Sequence, residues 1–454
     1  MKLRTFLDSQ SSFRFFVERL NISSSHARNV LLDTQFPDTL KEIKSAYQSL
    51  KTFYDQFIKE GKFKYTILHV QEKLSEVRDI RGSLSRLEKG NLLDDIELFE
   101  IKSISLISED IKHIFNETGI NTEYLHFSDL SPVVEILDPE GNRINSFYVY
   151  DAYSEELALI RKELKSKEVF DAELYYKASL IEEKVRERLC ADLIKYVELI
   201  GDSLKTLANL DIIIAKALQV KELNLCFPDY SKGTINYKAL FNPEIEEYLS
   251  KEGKVFQPVD ISIETQKPLL ITGANMGGKS VSLKSLFTAQ LLFQFSFGIP
   301  AKNASISYVD NLFLITGDNQ SISKGLSSFA AEMIAIDSVI KEVVSGKKIL
   351  ALIDEPAGTT NPTEGTALVS SLLKRLSGQC SYVVITTHYN IENSECRRLR
   401  VRGYIDGKMD YSLIPVNEIE APREAVNIAR SLNVDDIWIN EAELIVNQKN
   451  KYAK

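Results

Sequence analysis

Residues Gly273-Ala274-Asn275-Met276-Gly277-Gly278-Lys279-Ser280 fill every position of the pattern G-x-x-x-x-G-K-[ST]. The spacing has a chemical reason. Gly273, Gly277 and Gly278 let the backbone curl, with Asn275 inside the loop, so that several N–H groups converge on one phosphate. The following helix offers its positive end, Lys279 neutralises the outer phosphates, and Ser280 supplies a hydroxyl to Mg²⁺. A second chemical pair, Asp354-Glu355, closes the apolar run 348–353. There the first acid would hold the Mg²⁺ shell, and the second would orient or deprotonate an attacking water. His388 closes the run 382–387 and is placed to feel a γ-phosphate at the same sheet edge.

These residues need a scaffold of strands ending together. Apolar strand-type runs occur at 268–272, 312–315, 348–353 and 382–387, and residues 281–297 carry helical spacing directly after the glycine loop. The pattern predicts an α/β P-loop fold preceded by an all-helical region. Residues 1–120 read as helices, with apolar periodicity over 40–57 and 96–115. His26, His69, His113 and His126 are scattered through this half and read as packed or surface side chains. Over 133–153 two extended runs flank Asp138-Pro139-Glu140-Gly141-Asn142, which predicts a hairpin. Ser154 then reads as an N-cap, opening a charged helical region to about residue 224 whose mixed charges suit intrahelical ion pairs. Residues 225–248 are rich in Pro, Gly and Asn and read as a linker. The organisation expected is 1–225 helical core and lever, 226–415 ATPase domain, and 416–454 C-terminal helical dimerisation segment.

Composition narrows the function classes. With 64 Asp and Glu against 55 Lys and Arg the net charge is −9, which weighs against a strongly basic nucleic-acid face without removing a local one. The four cysteines are far apart with no C-x-x-C spacing and read as reduced thiols. The N-terminus shows no signal-peptide core, and no window reaches eighteen uninterrupted apolar residues. A cytoplasmic protein without a membrane partner is expected.

The motifs together resemble the ATPase domain of the MutS family, within the ABC ATPase class. The likeness rests on Thr272 to Ser280, Gly298-Ile299-Pro300-Ala301, Ser327-Ser328-Phe329 with Glu332-Met333, Asp354-Glu355, Gly358-Thr359-Thr360 and Thr386-Thr387-His388-Tyr389. Gly317-Asp318-Asn319-Gln320-Ser321, the run Gly358 to Gly365 and Asp151-Ala152-Tyr153-Ser154-Glu155-Glu156-Leu157 are similar to the second branch of the family, whose members lack a mismatch-reading domain. Residues 425–432 are similar to the family's terminal helical segment. The fold so implied is the ABC/MutS type of P-loop ATPase with an N-terminal all-α core and lever.

The resemblance implies ATP and Mg²⁺ as ligands and a dimer, with itself or a paralogous subunit, holding composite sites. Lys279, Ser280, Asp354, Glu355 and His388 would take the roles given above, Phe256 would stack on adenine, and Ser327 would reach the partner's nucleotide. Ala274 replaces the usual loop proline, and Lys324-Gly325-Leu326 alters the segment before Ser327. Between Arg161 and Leu207 there is room only for helices where DNA-handling relatives insert a clamp. Two clients follow. One is DNA, as in mismatch repair and recombination. The other is a protein, as in short MutS-like proteins associated with reactivation of adenosylcobalamin-dependent lysine aminomutase.

Overall fold

The computed structural model describes residues 1–167, 170–273, 278–317, 328–389, 391, 395–405, 408–416 and 435–451. They form two compact bodies: Met1–Thr5 with Arg19–Gln35 and Ser45–Lys221, and Phe6–Glu18 with Phe36–Lys44 and Glu222–Lys454.

The first body is helical, as the 3.6-residue periodicity predicts. Its helix Asp95–Glu117 starts at a capping box: Asp94 accepts from the Ile96 and Glu97 N–H groups, and Glu97 accepts from the Asp94 N–H. It buries Leu98, Ile101, Ile104, Ile111 and Phe115 along one stripe. Ser154 N-caps the helix Glu155–Ser166 by accepting from Leu157 N–H at 3.3 Å, as its sequence suggests. The longest helix here, Val197–Glu222, contributes the buried Asp211. That carboxylate takes the N–H groups of Ser23 and Ser24 at 2.9 and 2.8 Å and the Ser24 hydroxyl at 2.9 Å. Ser24 is itself the N-cap of helix Ser25–Asp33.

The expected hairpin over 133–153 does not form. Ser131–Leu137 is a helix, Asp151–Tyr153 is a single 3₁₀ turn, and no strand lies between them. The physical cause is Lys102, which is fully buried. Its Nζ donates to Asp138 Oδ1 at 2.9 Å, the Tyr150 hydroxyl at 2.8 Å and the Ser146 carbonyl at 3.2 Å. A desolvated ammonium requires such partners, and supplying them turns the segment over the helix instead of pairing it with itself.

In the second body, ten strands lie among the described residues: β1 (Asp229–Tyr230), β2 (Thr234–Leu240), β3 (Val259–Glu264), β4 (Leu269–Thr272), β5 (Asn303–Ile306), β6 (Asn311–Ile315), β7 (Ile349–Asp354), β8 (Tyr382–Thr387), β9 (Arg397–Ile405) and β10 (Lys408–Pro415). One sheet has the order β1-β5-β2-β3, the other β10-β9-β4-β8-β7-β6. The expected linker over 225–248 is therefore largely structure: β1, β2 and the helix Pro243–Lys251. Its turn residues punctuate these elements, with Gly233 at φ 86° before β2 and Asn242 capping the helix that starts at Pro243.

In the six-stranded sheet β6, β7, β8, β4 and β9 run parallel, and β10 closes one edge antiparallel. β7 and β8 are buried almost throughout, as strands covered on both faces should be. Helices Ser328–Val344 and Pro362–Leu376 cover one face through Ile336, Val339, Val369 and Leu373 against Ala351, Ile353, Val383 and Ile385. The helix Lys279–Gln294 also packs on the sheet, against β6, β7 and β8. Residues near the N-terminus join this body: Phe6, Phe13 and Phe36 ring Phe295, and Phe13 also meets Phe297. Among the described residues no helix is long and apolar enough to cross a membrane.

Candidate active site

Parallel register brings the chemistry to one edge. β8 lies between β4 and β7, with Thr272 opposite Thr387 and Asp354 opposite Thr386. The segments leaving these three strand ends therefore emerge side by side. They carry Gly273 to Ser280, Glu355 and His388.

Lys279 opens the helix that follows β4, and its side chain is 1% exposed. Its Nζ donates to the Gly273 carbonyl at 2.7 Å and lies 3.1 Å from Glu355 Oε1. The other carboxylate oxygen of Glu355 lies 3.6 Å from His388 Nδ1, on a half-exposed ring. Three expected residues thus form one chain, lysine to carboxylate to imidazole. Asp354 accepts from the Thr386 hydroxyl, and the same Thr386 oxygen accepts the Glu355 N–H at 3.0 Å. One threonine on the neighbouring strand thus fixes both acids. The motif lists Thr386, but its part becomes readable only from the strand register.

The backbone is specialised at the same points. Gly278 has φ 75° and begins the helix, where an added Cβ would press on the Tyr411 ring. Glu355 and Ala357 hold φ values of 45° and 58°, a conformation that costs a non-glycine residue about 1–3 kcal/mol. Strained backbone of this kind clusters where a side chain must be aimed. The turn closes through Gly358 N–H to the Glu355 carbonyl at 3.1 Å.

The other expected residues are placed as follows. Ser280 is exposed on the first turn of the helix. Phe256 is half-buried just before β3, and its neighbour Gln257 donates to Asp410 at 2.8 Å while accepting the Tyr411 N–H at 3.0 Å. Gln257 thereby ties Phe256 to the strand whose Tyr411 abuts Gly278. Ser412 and Gln257, with Arg402, hold the Asp410 carboxyl well below the usual carboxylate range. Asn275, Gly277 and Ser327 lie outside the described residues, as do Ala274, Lys324-Gly325-Leu326, Asp318 to Ser321 and residues 425–432. Sequence reasoning assigned no role to Tyr411, nor to Glu332 and Tyr389 beyond their place in motifs. Their contacts link separate segments and leave no local signal.

A buried ammonium, two carboxylates and an imidazole at one edge can hold an anion, share a hard cation and orient a water. Residues 269–402 match the family model MutS domain V. The chain is 37% identical over 210 residues to the Endonuclease MutS2 of Caldicellulosiruptor bescii, covering 46% of this chain and 26% of that protein. Over 388 residues it is 28% identical to the Endonuclease MutS2 of Pediococcus pentosaceus, covering 82% of this chain and 46% of the relative. The corresponding protein of Enterococcus faecalis is 31% identical over 276 residues, or 58% of this chain and 33% of its own length. The chain thus spans less than half the length of these relatives. It carries a MutS domain V over residues 269–402 and is a MutS2-like relative of these proteins.

Proposed function

We propose that this chain is an ATPase whose nucleotide cycle drives a dimeric conformational switch. The observation that carries the reading is the chain Lys279–Glu355–His388, joined at 3.1 and 3.6 Å at the edge where three parallel strands end. Lys279 binds the outer phosphates, giving up its hold on Glu355 as it does so. The freed Glu355 carboxylate then orients the attacking water and accepts its proton, and His388, on the neighbouring strand end, senses the γ-phosphate. The donors suit Mg²⁺, a hard cation that prefers oxygen: the Ser280 hydroxyl and the Asp354 carboxylate, together with phosphate oxygens, would hold it. When bound, it neutralises charge developing on the phosphates. Gly273, Asn275, Gly277 and Gly278 supply the phosphate cradle, and Phe256 stacks on the adenine.

The composite-site part of the proposal gives Ser327 a partner's nucleotide to contact, so hydrolysis needs two copies or a paralogous subunit. Support for self-association comes from the helix Asp436–Lys451, which exposes Ile437, Trp438, Leu444 and Ile445. In this reading 226–415 is the ATPase domain, 416–454 the dimerisation segment and 1–225 the helical core and lever, less residues 6–18 and 36–44, which join the second body. Nucleotide closes the dimer and hydrolysis reopens it.

DNA is the client we favour, because the relatives named above carry the description endonuclease. That description carries over no nuclease activity to this shorter chain. The lysine aminomutase alternative has no observation behind it among those relatives. Steady-state ATP hydrolysis, measured alone and with linear or branched duplex DNA across a salt series, separates the readings. DNA stimulation that fades steeply with salt is expected, since phosphate contacts release counterions. A flat response that Glu355→Gln abolishes would leave the ATPase standing and move the client to a protein.

A further inference from the structure

The turn after Asp354 is gripped from two sides by residues that the mechanism above does not use. Ala357, fully buried at φ 58°, donates its N–H to Glu332 Oε2 at 3.3 Å. Its carbonyl accepts from the Tyr389 hydroxyl at 2.8 Å. Both polar groups of one left-handed residue are thus held by side chains from different segments. Tyr389 is itself fixed. Its N–H donates to the Thr387 hydroxyl at 3.0 Å, and its ring lies so close to Gly365 that an added Cβ there would overlap the Tyr389 hydroxyl. Glu332 stands on the helix Ser328–Val344, which begins one residue after Ser327. Burial pushes the Glu332 carboxyl pKa upward, and either protonation state leaves an oxygen able to accept from Ala357.

The arrangement has a mechanical consequence. Two non-glycine residues, Glu355 and Ala357, are held in a conformation that the chain would leave if released. Release would turn the Glu355 carboxylate while leaving Lys279 and its helix in place. The contacts that fix Ala357 therefore control the aim of Glu355 without controlling nucleotide affinity.

We propose that Glu332 and Tyr389 are positioning residues that clamp Ala357 so that Glu355 points at the attacking water, and that Glu332 makes this aim depend on the position of the helix Ser328–Val344. The inference rests on the ATPase reading above and names the contacts that aim its water-orienting carboxylate.

The test measures kcat and KM for ATP, together with equilibrium binding of a fluorescent ATP analogue, in the full chain. Glu332→Ala should lower kcat about tenfold while affinity stays within about twofold, because aim is lost and binding is not. Glu332→Gln should recover most of the rate, since its amide oxygen still accepts from Ala357 N–H. Tyr389→Phe should lower kcat severalfold, and the Glu332→Ala/Tyr389→Phe double variant should lose less than the product of the two, as expected for two grips on one residue. The proposal is overturned if Glu332→Ala keeps the wild-type kcat. It is also overturned if Glu332→Gln is as slow as Glu332→Ala, or if the loss appears in nucleotide affinity. If the unaltered chain does not hydrolyse ATP, or Glu355→Gln hydrolyses as fast, the ATPase reading itself fails, and that outcome is distinct from the others.

Discussion

Lys102 and Lys279 are buried to the same degree, each with a side chain 1% exposed, and each lies about 3 Å from a carboxylate, at 2.9 and 3.1 Å. They differ in that carboxylate. Asp138, opposite Lys102, is also 1% exposed, and Tyr150 and Ser146 complete the shell of acceptors. Glu355, opposite Lys279, is 28% exposed and sits on a left-handed turn, with a second cation-capable group beyond it. The first pair has nowhere else to go, whereas the second can open toward water at little cost. A buried lysine therefore does not by itself mark a site. The freedom of its partner does.

Substitutions at these two lysines, and at a third, sharpen that contrast. Lys102→Ala strands the Asp138 carboxylate in a dry core, and chemical denaturation should show a loss of about 3–5 kcal/mol. Replacing Lys102 and Asp138 together by apolar residues of similar volume should restore most of it. If Lys102→Ala melts like the unaltered chain, the pair is not the constraint described here.

Lys279→Ala should do the reverse. ATP hydrolysis should fall by about a hundredfold or more with the loss of the phosphate-binding charge, while stability changes by less than about 1 kcal/mol because Glu355 can turn to solvent. An unfolding cost as large as that of Lys102→Ala would erase the distinction.

A third lysine gives the most pH-specific effect. Burial pulls the Lys216 pKa down to about 7, against roughly 10.4 in an unfolded chain. Between those values the unfolded state binds a proton that the native state does not, so this group makes stability rise with pH across that window. Below pH about 7 both states are protonated and its penalty is complete. Lys216→Met should flatten the slope, raising the melting temperature more at pH 6.5 than at pH 9. An unchanged slope would show that Lys216 does not titrate in this way.

Much of the site was legible because its signals are local. The glycine spacing, the two acids after an apolar run and the histidine after another each sit within a few residues of the strand that presents them. The pairing of Lys279 with Glu355 was not legible, since it depends on the order β4-β8-β7, which no local pattern encodes. Thr386 bridges Asp354 and Glu355 for the same reason, through register. In the helical half, turn chemistry at Asp138-Pro139-Glu140-Gly141-Asn142 pointed to a hairpin, and a distant buried lysine overrode it. Over 225–248 the same residue types mark the ends of β1, β2 and a short helix, so their density signalled many element boundaries and not an unstructured linker.

The phenylalanine cluster around Phe295 has a consequence for biosynthesis. Phe6 and Phe13 are synthesised long before the rings they pack against, which belong to a helix end much later in the chain. At about 5–20 residues per second, the delay is on the order of tens of seconds. Throughout that interval an apolar N-terminal segment is solvent-exposed, a natural client for a holdase chaperone. A chain truncated before Arg19 would leave the converse fault, with Phe295 and Phe297 uncovered on an otherwise finished body, and should be prone to aggregate.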